Sequence, residues 1–198
     1  MYAADTISLS SPAGYLMSDA NSEIAESYIN AGKTLVLANE NGILGTAVQP
    51  LRILNNRAAV NLTASDAYIK GMNNSEITDG TLTLGNIDVI NHFDAESQGH
   101  LFVGQDEKNG HITAGKEVSL TAAKDIELNG WITLPKDHSD DLPPSDGYWS
   151  TINHVLKFHA GGSVVQNIGS ISSTSVGAMV GGSVDLQSPN NSFDTFEA

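Results

Sequence analysis

The chain has 198 residues, with 9 Lys and Arg against 23 Asp and Glu and a formal charge of −14. Nucleic acid and anionic membrane surfaces both demand clustered Lys and Arg, so this balance argues against either partner, and no run approaches the roughly 18 apolar residues of a spanning helix. Zero cysteine removes disulfides, thiol nucleophiles and Cys-bearing metal sites together.

Aromatic residues make up only 6% of the chain, while Gly (19), Ser (21), Asn (17) and Thr (13) are plentiful. Small and β-branched residues with many turn formers describe an all-β chain rather than a helical bundle or a disordered segment. The opening Met1-Tyr2-Ala3-Ala4-Asp5 has no basic region and no apolar segment, so it is not a signal peptide. The expectation is either an intracellular chain or an interior piece of something longer.

Short alternating runs follow: Thr6-Ile7-Ser8-Leu9, Thr34-Leu35-Val36-Leu37, Ala59-Val60-Asn61-Leu62, Thr81-Leu82-Thr83-Leu84 and Leu101-Phe102-Val103. Then come Glu117-Val118-Ser119-Leu120, Asp125-Ile126-Glu127-Leu128, Ser163-Val164-Val165 and Ser183-Val184-Asp185-Leu186. Period-two alternation bounded by Gly, Asn or Asp predicts strands of about three to five residues. Two stretches break the pattern. Residues 21–29 fit one or two helical turns or a strand at the end of a rung, and the rung is favoured. Residues 135–149 contain three prolines and several aspartates, which excludes a regular strand and predicts a protruding loop over 135–150.

The runs share a preamble of a small residue and then Gly, as in Ala31-Gly32, Ala114-Gly115, Ala160-Gly161 and Val180-Gly181. Taking Leu35, Val60, Leu82, Val118, Val164 and Val184 as inward markers gives steps of 25, 22, 36, 46 and 20 residues. Three steps sit in the low twenties, a signature of stacked architecture. A rung of that length cannot enclose an apolar core alone; stacked on its like, it shares a continuous interior of slim aliphatics. The expectation is an all-β parallel β-helix, a solenoid, over 1–198 as one segment, with one Pro- and Asp-rich loop insertion. A β-sandwich is the competitor, and it requires clearer hairpin signals and more core aromatics.

The element Gly42-Ile43-Leu44-Gly45-Thr46-Ala47-Val48-Gln49-Pro50-Leu51-Arg52-Ile53 resembles one that recurs in giant bacterial exoproteins of the filamentous-haemagglutinin type. Asp66-Ala67-Tyr68-Ile69 with the run from Gly80 to Ile87 is similar to the usual continuation in that family, and 114–130 and 180–193 look like its generic rungs. Leu44 stands where Ile is common, and the Pro-rich insertion is outside the pattern. The final Asn191-Ser192-Phe193-Asp194-Thr195-Phe196 resembles the opening of a further rung, which favours an excised fragment of a longer secreted chain. The resemblance implies export through an outer-membrane pore, a right-handed β-helix shaft, and adhesive or toxin-like roles at the cell surface.

Candidate chemistry is sparse. Asp137, His138, Asp140, Asp141 and Asp146 gather carboxylates in the insertion, but they match no EF-hand or calcium-roll pattern and fit a solvated acidic loop better. Trp131, Tyr148 and Trp149, with Phe158 nearby, concentrate bulky rings around the same insertion. Exposed rings beside amides and carboxylates suit a carbohydrate ligand; the alternative is that they pin the loop onto the shaft. The histidines His92, His100, His111, His138, His154 and His159 lack metal-helix spacing, so no metal or other cofactor is expected.

An enzyme is the serious rival, because lyases and hydrolases place carboxylates on one strand face of such folds. Asp125 and Glu127 alternate outward, and Asp185 fits the same face. Yet Arg is confined to Arg52 and Arg57, and the net charge repels acidic polymers. The expected function is a non-catalytic shaft segment of an adhesin. A host-cell glycan or protein receptor is its partner class, with end-to-end self-association of open rungs. A carbohydrate-binding or carbohydrate-cleaving β-helix is the alternative.

Overall fold

The computed structural model describes residues 2–3, 5–10, 14–16, 29–31, 33–54, 58–74, 78–105, 110–135 and 154–198. None of them is helical, as the scarcity of strong helix formers leads one to expect. Most strands form one curled sheet whose pairings are parallel; Tyr2–Ala3 and Asn30–Ala31 make a separate parallel pair, and the lone antiparallel pair among the described residues is Asn73–Asn74 with Thr78–Asp79. A β-sandwich, built from antiparallel sheets, is thereby excluded.

Three ladders run through the sheet. In the first, Leu82 lies opposite Leu101, then Ile126, Val164 and Val184. In the second, Leu37 is followed by Leu62, Ile87, Ile112, Ile132 and Ile171. In the third, Ala67 is followed by Phe93, Val118, Leu156, Val176 and Phe196. The third ladder advances by 26, 25, 38, 20 and 20 residues, and the first by 19, 25, 38 and 20. The long step encloses the Pro- and Asp-rich stretch between the strands Trp131–Thr133 and Val155–Ala160. Of the loop expected over 135–150, only Pro135 falls among the described residues.

The inward positions stack apolar on apolar because a parallel register repeats the same face in each layer. Leu35, Val60, Leu84, Val103, Val118, Ile126, Leu156 and Val164 are completely shielded from solvent. Slim aliphatics dominate as expected, but Phe93 and Phe158 are also core residues. They fit because small neighbours stack on them: Ala67 lies opposite Phe93, and Ala178 opposite Phe158.

Two sequence expectations need correction. The strands Thr34–Leu44 and Ala59–Gly71 run to 11 and 13 residues, well past the expected three to five. They turn a corner without breaking: Ala59–Gly71 pairs with Leu82–Val89 through its first half and with His92–Ser97 through its second. The marker residues also do not form one column. Leu35 and Val60 stack with Leu84, whereas Leu82, Val164 and Val184 belong to the neighbouring inward position and Val118 to the third ladder. Period-two alternation assigns a face but not a position along it, which is why the marker steps of 36 and 46 have no counterpart in the register. Finally, residues 21–28 lie outside the described residues; Ile29 bridges to Ile53 in parallel and Asn30–Ala31 pairs with Tyr2–Ala3.

Candidate functional site

Side chains alternate along each strand, so the residues between core positions form outward columns. Two faces carry contrasting chemistry.

On the face outside the third ladder, Asp66, Tyr68 and Lys70 leave one layer, His92, Asp94 and Glu96 the next, and Glu117 the one after; Lys157 and His159 follow. Most of these groups are tied between layers. His92 Nδ1 lies 2.9 Å from Asp66 Oδ1, and Asn91 Nδ2 and Ser65 Oγ also donate to that carboxylate. Lys70 pairs with Glu96, and Lys157 Nζ donates to Glu117 Oε1 at 2.8 Å. Burial pushes the Asp66 carboxyl up, but hydrogen bonds from His92, Ser65 and Asn91 outweigh it and hold the group below the ordinary carboxylate value. Asp94 is the exception. Burial first, then the carboxylates of Glu96 and Glu117, raise its pKa, with only partial relief from His159 and Lys157. Burial and the charges of Asp66, Asp94 and Glu117 likewise raise the Tyr68 hydroxyl. This cluster brings carboxylates and cations together, yet its chemistry is directed at its own neighbours.

The second face is built on a repeat that alternation alone does not disclose. Gly85-Asn86-Ile87, Gly110-His111-Ile112, Gly130-Trp131-Ile132 and Gly169-Ser170-Ile171 share the form Gly-x-Ile. The isoleucines form the second ladder. The glycines mark its corner, where layers approach too closely for a side chain: a Cβ on Gly130 would overlap the Gly110 carbonyl oxygen, and one on Gly169 the Gly130 carbonyl oxygen. Gly169 also takes a φ of 86°, which L side chains rarely adopt. The x positions face outward, so Asn86, His111 and Trp131 line up in one column. Two residues further along, Asp88, Thr113, Thr133 and Ser172 form a second.

Trp131 is therefore placed as the exposed-ring reading expected, with 37% of its surface open. Tyr148 and Trp149 lie outside the described residues, as do Asp137, His138, Asp140, Asp141 and Asp146. Phe158 does not join an exposed cluster: it is fully buried between Leu120 and Ala178 in the core. The expectation that Asp185 shares the outward face of Glu127 holds, with Val165 between them in register. Two layer spacings put them about 10 Å apart. Asp125 is committed elsewhere, its Oδ1 accepting the Ser163 amide at 2.8 Å. His154 is buried, His100 Nδ1 lies 3.3 Å from Asp125 Oδ2, and no group of three metal-ligating side chains occurs among the described residues.

Sequence reasoning missed the Asp66–His92 pair, 26 positions apart, and the Asp94 cluster, which draws Glu117, Lys157 and His159 from other layers. The Gly-x-Ile repeat was available in the sequence and would have placed Trp131 on its face. Compared with family models, curated proteins and solved structures, the chain matches none.

Proposed function

We propose that the chain is a non-catalytic stretch of right-handed parallel β-helix shaft from a secreted or surface-exposed bacterial exoprotein of the filamentous-haemagglutinin type. What supports the parallel β-helix is the register: the same three ladders recur each 19–28 residues apart from the one long step. Each layer buries its aliphatics only against its neighbours, so length is gained by repetition without a new core. The family assignment rests on the element from Gly42 to Ile53. That stretch holds Gly45, whose φ of 68° and close approach to the Tyr68 carbonyl require glycine, and the strand Leu51–Ile53.

The single observation that carries the non-catalytic reading is the interlayer charge pairing. Asp66 with His92, Lys70 with Glu96, and Glu117 with Lys157 direct the densest polar cluster into holding layers in register. The function is then geometric. Eight successive described layers, from Thr6–Ser10 to Thr195–Glu197, make a stack of about 34 Å at about 4.8 Å per layer, from which outward side chains meet a host-cell glycan or protein receptor, and whose open edges favour end-to-end association.

Solution scattering combined with a reducing-sugar assay tests this reading. Growth along a single axis as concentration rises, the mark of end-to-end association of the stacks, with no release of sugar from neutral or acidic polymers, is expected. A compact particle whose dimensions do not change with concentration, or turnover abolished by Asp94→Asn, contradicts it.

A further inference from the structure

The two polar faces differ in what their side chains are already doing. On the Asp66–Lys157 face, charges are paired between layers. On the Gly-x-Ile face, the side chains of His111, Thr113, Trp131 and Thr133 make no hydrogen bond or ion pair with another described residue. Donors and acceptors on this strip therefore face outward unused, arranged by the sheet in a flat grid. Layers are about 4.8 Å apart, and outward neighbours along a strand about 7 Å apart.

In the middle of that grid stands an indole. Trp131 presents a partly open ring whose N–H has no partner among the described residues, in register with His111 one layer before and two residues along the strand from Thr133. An apolar ring face surrounded by hydroxyl and imidazole groups matches a pyranose, whose C–H face stacks on an aromatic ring while its equatorial hydroxyls reach the edges. The layer spacing is close to the length of one residue in an extended β-linked glucan, so successive rings, each turned over relative to the last, fall over successive layers. The sign of the charge narrows the class further. Asp88 borders the strip, and the chain as a whole is at −14, which disfavours uronate or sulfated polymers.

We propose that the column Asn86–His111–Trp131, with Thr113 and Thr133 beside it, is a binding strip for an extended neutral β-linked glycan. Trp131 stacks on one pyranose ring, and His111 and Thr133 hydrogen-bond the hydroxyls of that sugar and the next. No covalent chemistry is involved. The strip goes beyond the shaft reading, since it names a ligand class for one face and holds or fails on its own evidence.

Calorimetric and fluorescence titration with cellohexaose tests it. The chain contains two tryptophans, so in a Trp149→Phe variant the emission reports on Trp131 alone. Saturable binding with a blue-shifted emission is expected, at least tenfold weaker in His111→Ala. Trp131→Ala must abolish the binding with an unchanged circular dichroism spectrum, and Trp131→Phe, which keeps a smaller ring, must bind at reduced affinity. The proposal is overturned if cellohexaose gives neither heat nor spectral shift at millimolar concentration, or if Trp131→Ala binds as tightly as the unaltered chain. Equal binding of an acidic galacturonide hexamer would overturn it too. Scattering curves recorded on the same samples keep this outcome separate from the shaft reading, which depends on particle shape alone.

Discussion

Lys157 and Glu117 meet at 2.8 Å although 40 residues separate them in the chain. Their strands are adjacent because Ser119 lies directly opposite Lys157, and the pair crosses the layer boundary on the diagonal. Both side chains remain more than a third exposed, so the attraction is strongly screened. Lys157→Met is expected to cost about 0.5 kcal/mol at low salt, in the range of surface ion pairs. Denaturant melts at low and molar salt check this: the difference from the parent chain shrinks as salt rises.

Asp94 behaves in the opposite sense. Its folded pKa is raised above the ordinary 3.8, first by burial and then by Glu96 and Glu117. The folded chain therefore holds this proton more tightly than the unfolded chain. Its contribution to stability is fully present below the unfolded pKa and is lost as pH rises through the folded value. Asp94→Asn removes a desolvated charge and is expected to stabilise the fold at pH 7 by about 1 kcal/mol, or about 2–4 °C in Tm for a chain of this size. The gain disappears at pH 3, and thermal melts at both pH values read the difference. Asp66, held low by its hydrogen bonds, gives stability that is present above 3.8 and fades as pH falls through its lowered folded value.

The core ladders predict the most damaging substitutions. Val118 and Val164 are fully buried, with Phe93 and Leu156 on either side of the first and Ile126 and Val184 on either side of the second. An aspartate at either position buries a charge with no cation in reach. Val118→Asp and Val164→Asp should each cost more than about 4 kcal/mol and abolish cooperative unfolding. The neighbouring side chain of Ser119 points outward, so Ser119→Asn, which adds polarity without charge beside Asp94, serves as the control and stays within about 0.5 kcal/mol of the parent.

The long register step predicts that the stretch between Pro135 and His154 is dispensable for stacking, whereas Leu134 and His154 themselves are buried and bonded to the next layer. Steps elsewhere in the same ladders are as short as 19 or 20 residues, so a layer closes without it. Replacing 137–146 with a short Gly-Ser turn should leave the circular dichroism spectrum and the denaturant midpoint unchanged. Collapse of the fold would show that this stretch is part of the core.

How far the sequence discloses all this depends on the range of each signal. Alternation in Glu117-Val118-Ser119-Leu120 and its relatives shows which residues are buried, and the low-twenties spacing shows that layers stack. Both are properties of one short run compared with another. The column in which a residue stands is not, since Leu82 and Leu84 both face inward and only the register with Leu101 and Val103 tells them apart. The same limit hides the polar cluster: Asp66, Asp94, Glu117 and Lys157 look like scattered surface charges until the layers superpose them. Closeness in sequence to Trp149 groups Phe158 with the rings around the insertion, whereas strand phase, with Leu156 and Ala160 also inward, places it in the core. Trp131 was legible as an exposed ring by its outward phase, one residue from inward Ile132.

The parallel superposition of layers is the claim on which the rest depends, and the absence of cysteine makes it directly measurable. Glu117 lies opposite Val155, and Thr121 opposite His159, all with outward side chains. Paired cysteines at 117 and 155, and separately at 121 and 159, should form intramolecular disulfides on mild oxidation, since directly opposed residues fall within bridging distance. Cysteines at 117 and 159 should not, because a parallel register sets them at opposite ends of the two strands. Efficient closure of the 117–159 pair together with failure of the other two would mean that the strands run antiparallel, and the stacked architecture would be wrong.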